Sequence, residues 1–119
     1  MARVSLQGLT GIDGYFGSCL VDSESGMMLG SDAGGPVNLE VAAAGNTEVV
    51  RAKRKTMKSL GLSGGIEDML ITLKDQYHII RPLASNDALF LYLVLDRGKA
   101  NLALARHELK AFEGTINFK

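Results

Sequence analysis

The sequence contains no tryptophan and one cysteine, and only 6% of its residues are aromatic. Small secreted domains usually carry an even set of cysteines that pair as disulfides, so this composition argues against that class. Cys19 lies in an apolar run, where a free cysteine is more often a packed core thiol than a reactive one. With so few aromatic residues, the core has to be built from Leu, Ile, Val, Met and Ala.

A net charge and long hydrophobic runs are absent as well. Lys plus Arg number 13 and Asp plus Glu number 13, whereas a nucleic-acid-binding protein usually has a basic excess. The longest uncharged apolar run, 88–95, has the length of a strand and falls short of the ~20 residues that span a bilayer. Residues 1–9 contain no apolar segment of a signal peptide. These features predict a single cytoplasmic domain over residues 1–119 that binds no nucleic acid and does not insert into a membrane.

No residue pattern predicts catalysis, a metal or a cofactor. His78 and His107 do not have the spacing of a metal-binding motif, and Ser18 does not lie in a nucleophile elbow. The glycine-rich segment 61–65 resembles a phosphate loop in composition only, because no Lys-Ser or Lys-Thr follows it and it precedes a strand. We therefore predict a protein that is not an enzyme, with no catalytic, metal-binding or cofactor-binding residues.

Hydrophobic periodicity predicts the element order α-β-β-α-β-β-β-α, a fold of the α/β (α+β) class. The strands are grouped as a hairpin and a three-stranded meander, which predicts an antiparallel sheet. Residues 88–95 are apolar on both faces, as expected for a central strand of a sheet with helices on both sides. The predicted elements are a helix at 5–10, strands at 14–21 and 27–29, a helix at 39–60, strands at 67–74, 76–83 and 88–95, and a helix from about 101.

The predicted middle helix has two distinct faces. One face is apolar and contains the small-residue run 42–45, which fits tight packing on the sheet or packing against the same helix of a second subunit. The other face carries four basic residues at i, i+3, i+4 and i+7, which fits a solvated face or a docking site for an acidic protein surface. The apolar face comprises Leu39, Ala42, Ala43, Asn46, Val49, Val50, Met57 and Leu60, with Lys53 inside its sector. The basic residues, here called the basic stripe, are Arg51, Arg54, Lys55 and Lys58.

Two passages resemble the Roadblock/dynein light chain family. Residues 11–14, Gly-Ile-Asp-Gly, followed by 19–26, resemble the exit from that family's first helix and its opening hairpin. Residues 91–96 followed by 100–106 resemble its passage from the last strand into the last helix, with Ala103 where the family has glycine. The segment before Gly11 is short for the family's first helix.

The resemblance implies a profilin-like five-stranded antiparallel sheet with helices on both faces. It also implies a non-catalytic regulator or scaffold that binds a small Ras-like GTPase, or a motor or signalling complex, through its central helix. Such a protein pairs with itself or with a paralogous Roadblock chain through that helix and the third strand. Carried over by position, the dimer surface comprises Ala42, Ala43, Asn46, Val49, Val50, Lys53, Met57, Met69, Ile71 and Leu73. The partner surface comprises Arg51, Arg54, Lys55 and Lys58.

A small-molecule sensor of the PAS or GAF kind is the alternative, because those domains also place helices on an antiparallel sheet. Such a sensor needs a pocket between sheet and helices. The short loops and the scarcity of aromatic residues argue against a large pocket.

Overall fold

A computed structural model of the protein describes residues 4–32 and 35–116, so residues 1–3, 33, 34 and 117–119 of the expected domain lie outside the described residues. The chain forms a five-stranded antiparallel sheet with strand order β2-β1-β5-β4-β3, which confirms the predicted fold class. Its elements are a 3-10 turn at Gln7–Leu9, β1 Tyr15–Asp22, β2 Met28–Asp32, α1 Leu39–Ser59, β3 Met69–Thr72, β4 Gln76–Pro82, β5 Leu89–Asp96 and α2 Leu102–Glu113.

The central strand β5 separates two cores, as its apolar sequence predicts. On one face, Leu91 and Leu93 pack with α2 and the N-terminal 3-10 turn. On the other face, Phe90 and Tyr92 pack with α1, which buries Leu39, Ala43, Thr47 and Val50 at a helical spacing. Each face of the sheet therefore carries one helix, which packs on it through one apolar stripe.

Both helices begin at asparagine caps. The Asn38 side chain accepts a hydrogen bond from the Val41 backbone N–H at 3.2 Å, and the Asn101 side chain accepts one from the Leu104 N–H at 3.1 Å. These bonds satisfy backbone donors that have no partner within the first turn of a helix. Beyond the end of α1, Gly61 has φ 73°, the left-handed conformation that commonly terminates helices.

The first helix is shorter than predicted. Instead of a helix over 5–10, the chain makes a single 3-10 turn at Gln7–Leu9. Leu6, Leu9 and Ile12 are all buried, and their spacing of three residues matches the three residues per turn of a 3-10 helix. The N-terminal segment therefore buries its apolar side chains without an α-helix.

The third strand is also shorter than predicted, and it comprises Met69–Thr72 rather than 67–74. Asp68 lies before it and forms a two-bonded ion pair with Arg106 of α2, with N–O distances of 2.9 and 2.7 Å. Leu73 lies in the turn to β4, where its N–H donates to the Gln76 carbonyl at 2.9 Å. Leu73 therefore does not continue the strand face that Met69 and Ile71 share.

The N-terminal segment lies along the outer edge of β2. The Val4 N–H donates to the Leu29 carbonyl at 3.2 Å. A Cβ atom added to Gly30 would lie 2.3 Å from the Val4 carbonyl oxygen, so only glycine allows this close approach of two backbones. Within the described part of the chain, no helix has the length and apolarity needed to cross a membrane.

Candidate interaction surface

The helix α1 covers only part of its face of the sheet. It lies mainly over β1 and β2, whereas β4 and the edge strand β3 are at the other side of the sheet. Met69 and Ile71 of β3 and His78 of β4 are therefore half-buried. The uncovered part of this sheet face is a surface on which another molecule can pack.

A groove of about 490 Å³ runs between one flank of α1 and the uncovered part of the sheet. Val41 and Val49 are 68% and 38% exposed along the helix side of this groove. None of the described residues that line it is Asp, Glu, Lys or Arg; the lining comprises Pro36, Val37, Asn38, Val41, Ala42, Gly45, Asn46, Val49, Gln76, His78 and Tyr92. An uncharged groove beside an open strand edge is typical of a protein-binding surface.

The residues predicted for a dimer surface occupy several positions around this groove. Ala42, Asn46 and Val49 line it, and Lys53 is exposed on the same helix flank. The structure places Ala43 and Val50, which are 1% and 0% exposed, in the core beneath the helix, so neither side chain is on the surface of the chain.

The remaining predicted residues lie further from the centre of the groove. Met69 and Ile71 pack at the sheet face beside it, and Leu73 lies in the β3–β4 turn. Met57 lines a separate cavity at the C-terminal end of α1.

A chain of hydrogen bonds lies on the floor of the groove, and the sequence alone did not reveal it. The Tyr92 hydroxyl lies 2.9 Å from Nδ1 of His78, and Nε2 of His78 lies 2.7 Å from Oε1 of Gln76. The two rings meet edge to face with centroids 5.5 Å apart. In a β-strand, side chains alternate between the two faces, so residues 76 and 78 of β4 lie on the same face. This alternation is the sequence signal for the hydrogen-bonded chain.

Burial shifts the pKa values of both rings. Desolvation lowers the pKa of the His78 imidazole, because removal from water disfavours its charged form. Desolvation also raises the pKa of the Tyr92 hydroxyl to about 12, against a smaller lowering by the side chain of Asn46. The groove therefore favours the neutral forms of both groups.

The basic stripe divides into two arginines that bind loops of their own chain and two exposed lysines. Arg51 donates from Nε to the Ser23 carbonyl at 3.0 Å and from Nη2 to the Glu24 carbonyl at 2.6 Å. Arg54 donates to the Ser23 hydroxyl and to the Asp87 carbonyl. The arginines thus hold the β1–β2 and β4–β5 loops against α1.

Lys55 and Lys58 are exposed, and neither ammonium group forms an ion pair or hydrogen bond with residues 4–32 and 35–116. Their ammonium groups are therefore the part of the stripe that is available to a partner. The prediction that all four basic residues form a partner surface stays a prediction.

A cavity of about 510 Å³ lies at the C-terminal end of α1, between residues 62–67 and the ends of β4 and α2. A buried ion pair borders it, in which Arg81 Nε donates to Glu113 Oε1 at 2.8 Å and each side chain is 9% exposed. The other oxygen of Glu113 accepts from the Ala84 N–H at 3.0 Å. Glu113 follows buried Leu109 by four residues, and this acidic residue in the apolar stripe of α2 is the signal that sequence reasoning missed.

The sequence matches no family model and no curated protein, but its structure is similar to solved structures. A Roadblock/LC7 domain from Streptomyces avermitilis superposes with a TM-score of 0.77 at 14% identity, covering 91% of this chain and 88% of that one. The gliding protein MglB from Thermus thermophilus gives a TM-score of 0.76 at 19% identity, covering 91% and 79%. MglB from Myxococcus xanthus gives 0.72 at 17% identity, covering 84% and 78%.

These likenesses show that the chain has the Roadblock fold. The resemblance inferred from residues 11–26 and 91–106 is thereby confirmed at the level of the fold.

Proposed function

We propose that the protein is a non-catalytic, self-associating cytoplasmic regulator or scaffold that binds a small Ras-like GTPase, or a motor or signalling complex, through α1. The uncharged groove between α1 and strands β4 and β5 is the observation that carries this proposal. The Roadblock fold supports it, because this is the architecture of the MglB proteins to which the chain is similar. The two cores around one sheet support a single domain over 1–119.

The self-association surface combines the groove with β3. This strand lies at the end of the sheet, so one of its two edges has no partner strand among the described residues. A two-fold axis beside β3 brings identical strands together and places the α1 flank of each copy over the uncovered sheet face of the other. One solved MglB structure has a tetrameric arrangement, which supports association of chains with this fold. The second chain is another copy or a paralogous Roadblock chain.

Val49→Glu tests this surface, because it places a carboxylate in the uncharged groove. Burying that charge in a dimer costs at least about 2 kcal/mol per site, so the dissociation constant should rise more than about a hundredfold. Sedimentation equilibrium should then show the 12.7 kDa monomer where the wild type is a dimer. Ala111→Glu, on the exposed side of α2, is the matched control and should leave the dimer intact. A wild-type protein that stays monomeric at micromolar concentration would overturn self-association.

GTPase binding is assigned to the two lysines of the basic stripe, with the arginines positioning the adjacent loops. Lys55→Glu with Lys58→Glu should abolish capture of a small GTPase from the same genome while leaving the dimer unchanged. The arginines are left intact in this test because their reversal would release the loops that they bind. Lys99→Glu with Lys110→Glu is the control, since both residues are exposed and lie outside α1. Unchanged capture by the Lys55 and Lys58 variant would reject this docking site.

The sensor alternative has less structural support. The chain matches a Roadblock/LC7 domain over 91% of its length, and this agreement favours a regulator over a PAS or GAF sensor.

A further inference from the structure

Among the described residues that line the groove, His78 is the one whose usual pKa lies near neutral pH. It lies in β4, with Ile71 of β3 and Val94 of β5 directly beside it in the sheet. We propose that protonation of His78 opens the dimer, so that self-association responds to pH. This inference rests on the proposed function, because it concerns regulation of the same surface.

The hydrogen bonds of His78 fit only a neutral imidazole without rearrangement. The Gln76 Oε1 atom can only accept, so Nε2 of His78 carries the hydrogen of that bond. Nδ1 therefore has a free lone pair and accepts from the Tyr92 hydroxyl. A second proton on Nδ1 would face the hydroxyl hydrogen of Tyr92. The hydroxyl would have to turn away and become an acceptor, which breaks the existing arrangement.

The described residues of the groove offer an imidazolium no adjacent counter-ion. The helix α1 contributes Asn46 and Val49 to the groove lining, and β5 contributes Tyr92, whose raised pKa keeps the hydroxyl neutral at physiological pH. The strand β3 has no titratable side chain between Met69 and Thr72. A charged histidine in this groove would therefore lose hydration without gaining an ion pair.

The charged side chains of the elements packed around His78 lie outside the groove lining. Lys53 is exposed further along α1, and its charge opposes that of an imidazolium. Asp96 lies in register with Gln76 at the end of β5, and its Oδ1 already accepts from the Gly98 N–H at 2.9 Å. Asp75 is exposed in the β3–β4 turn. Asp68, before β3, is bound to Arg106 of α2 on the opposite side of the sheet.

The direction of the pH effect follows from burial. A second copy removes the remaining water from the groove, so the pKa of His78 is lower in the dimer than in the monomer. A group whose pKa is lowered by association weakens the associated state as the pH falls, because dissociation takes up protons. With two histidines per dimer, the dissociation constant rises by up to about a hundredfold per pH unit between the two pKa values and is constant above them.

The experiment measures the dissociation constant of the full chain by sedimentation at about pH 7.5, 6.5, 5.5 and 4.5 and constant ionic strength, because the pKa of His78 is lowered in the single chain already. The wild type should weaken at least about tenfold across this range, whereas His78→Gln should change less than about twofold. His107→Gln is the matched control, because His107 is exposed on α2, and it should behave as wild type. A wild-type constant independent of pH, or the same pH dependence in His78→Gln, would overturn the inference.

A second measurement decides the matter if His78→Gln fails to dimerise. The pH at which the His78 ring is half-protonated, followed by NMR, should fall as the protein concentration is raised and the dimer becomes the main species. A midpoint independent of concentration in a protein that dimerises overturns this inference alone. A wild type that is monomeric at about pH 7.5 overturns the proposed self-association, and this inference with it.

Discussion

Removal of the Glu113 carboxylate should destabilise the protein strongly, because it leaves the Arg81 guanidinium buried without its partner. Both side chains are 9% exposed, and the Nε–Oε1 distance is 2.8 Å. Breaking a buried ion pair from one side costs about 3–5 kcal/mol. We expect about 3 kcal/mol for Glu113→Ala, the lower end, because Arg81 borders an open cavity from which water can reach it. Loss of the bond from the Ala84 N–H is included in this figure.

Two further variants separate the charge from the packing. Glu113→Gln keeps an acceptor oxygen but removes the charge, so its loss should be about half that of the alanine variant. The double variant Arg81→Met, Glu113→Leu removes both charges and fills the space with apolar atoms. It should be more stable than Glu113→Ala, because a well-packed apolar pair replaces a buried ion pair at little cost.

Urea denaturation followed by circular dichroism is the assay, with all variants at one protein concentration because association shifts apparent stability. For a slope of about 2 kcal/mol per molar urea, Glu113→Ala should lower the midpoint by about 1.5 M. Glu48→Ala is the control, since it removes an exposed ion pair with Arg51 at 3.5 Å and should cost less than about 0.5 kcal/mol. If Glu113→Ala costs no more than this control, the reasoning from burial is refuted.

Three local features give further predictions. Gly14 has φ 82°, and an added Cβ would lie 2.9 Å from the Asp96 carbonyl oxygen. Gly14→Ala should therefore lower the free energy of unfolding by about 2 kcal/mol or more, which is measured as a lower thermal midpoint. Gly11→Ala is its control, because open space surrounds that position, and an effect equal to that at Gly14 would contradict the argument. Asn101→Ala should cost about 1 kcal/mol in urea denaturation through loss of the helix cap, and a neutral result would show that water replaces it. Cys19 is buried, and desolvation raises the pKa of its thiol to about 12. At about pH 8, an aromatic disulfide reagent should therefore label Cys19 only as fast as the protein unfolds. Rapid labelling of the native protein would contradict this burial.

Local patterns predicted most of the fold. The order of elements follows from periodicity, and the run over 88–95 identified the central strand because only a doubly covered strand is apolar on both faces. The helix starts predicted at 39 and at about 101 agree with the structure, in which Asn38 and Asn101 cap the two helices through residues within one turn. The N-terminal turn was predicted as an α-helix because composition does not distinguish it from a 3-10 turn.

The interaction surface was predicted less completely, because it depends on where the helix crosses the sheet. A helical wheel places Ala43 and Ala42 in one apolar arc, but only the strands beneath α1 decide that Ala43 is core and Ala42 borders the groove. The contacts of Arg51 and Arg54 likewise depend on loops 27 to 33 residues away in sequence. Arg81 and Glu113 are 32 residues apart in sequence and lie on β4 and α2. Hydrophobic periodicity predicts each of these elements but not the contact between them.

The N-terminal segment beside β2 has a consequence for the size of any assembly. Val4 donates its N–H to the Leu29 carbonyl of that strand, and its own carbonyl lies close over Gly30. Of the two outer strands of the described sheet, β3 is then the one open to edge-to-edge pairing. In the proposed dimer joined at β3, a β2 strand with its Val4 contact stands at each end of the combined ten-stranded sheet, so a further strand added next to Leu29 would have to displace the N-terminal segment.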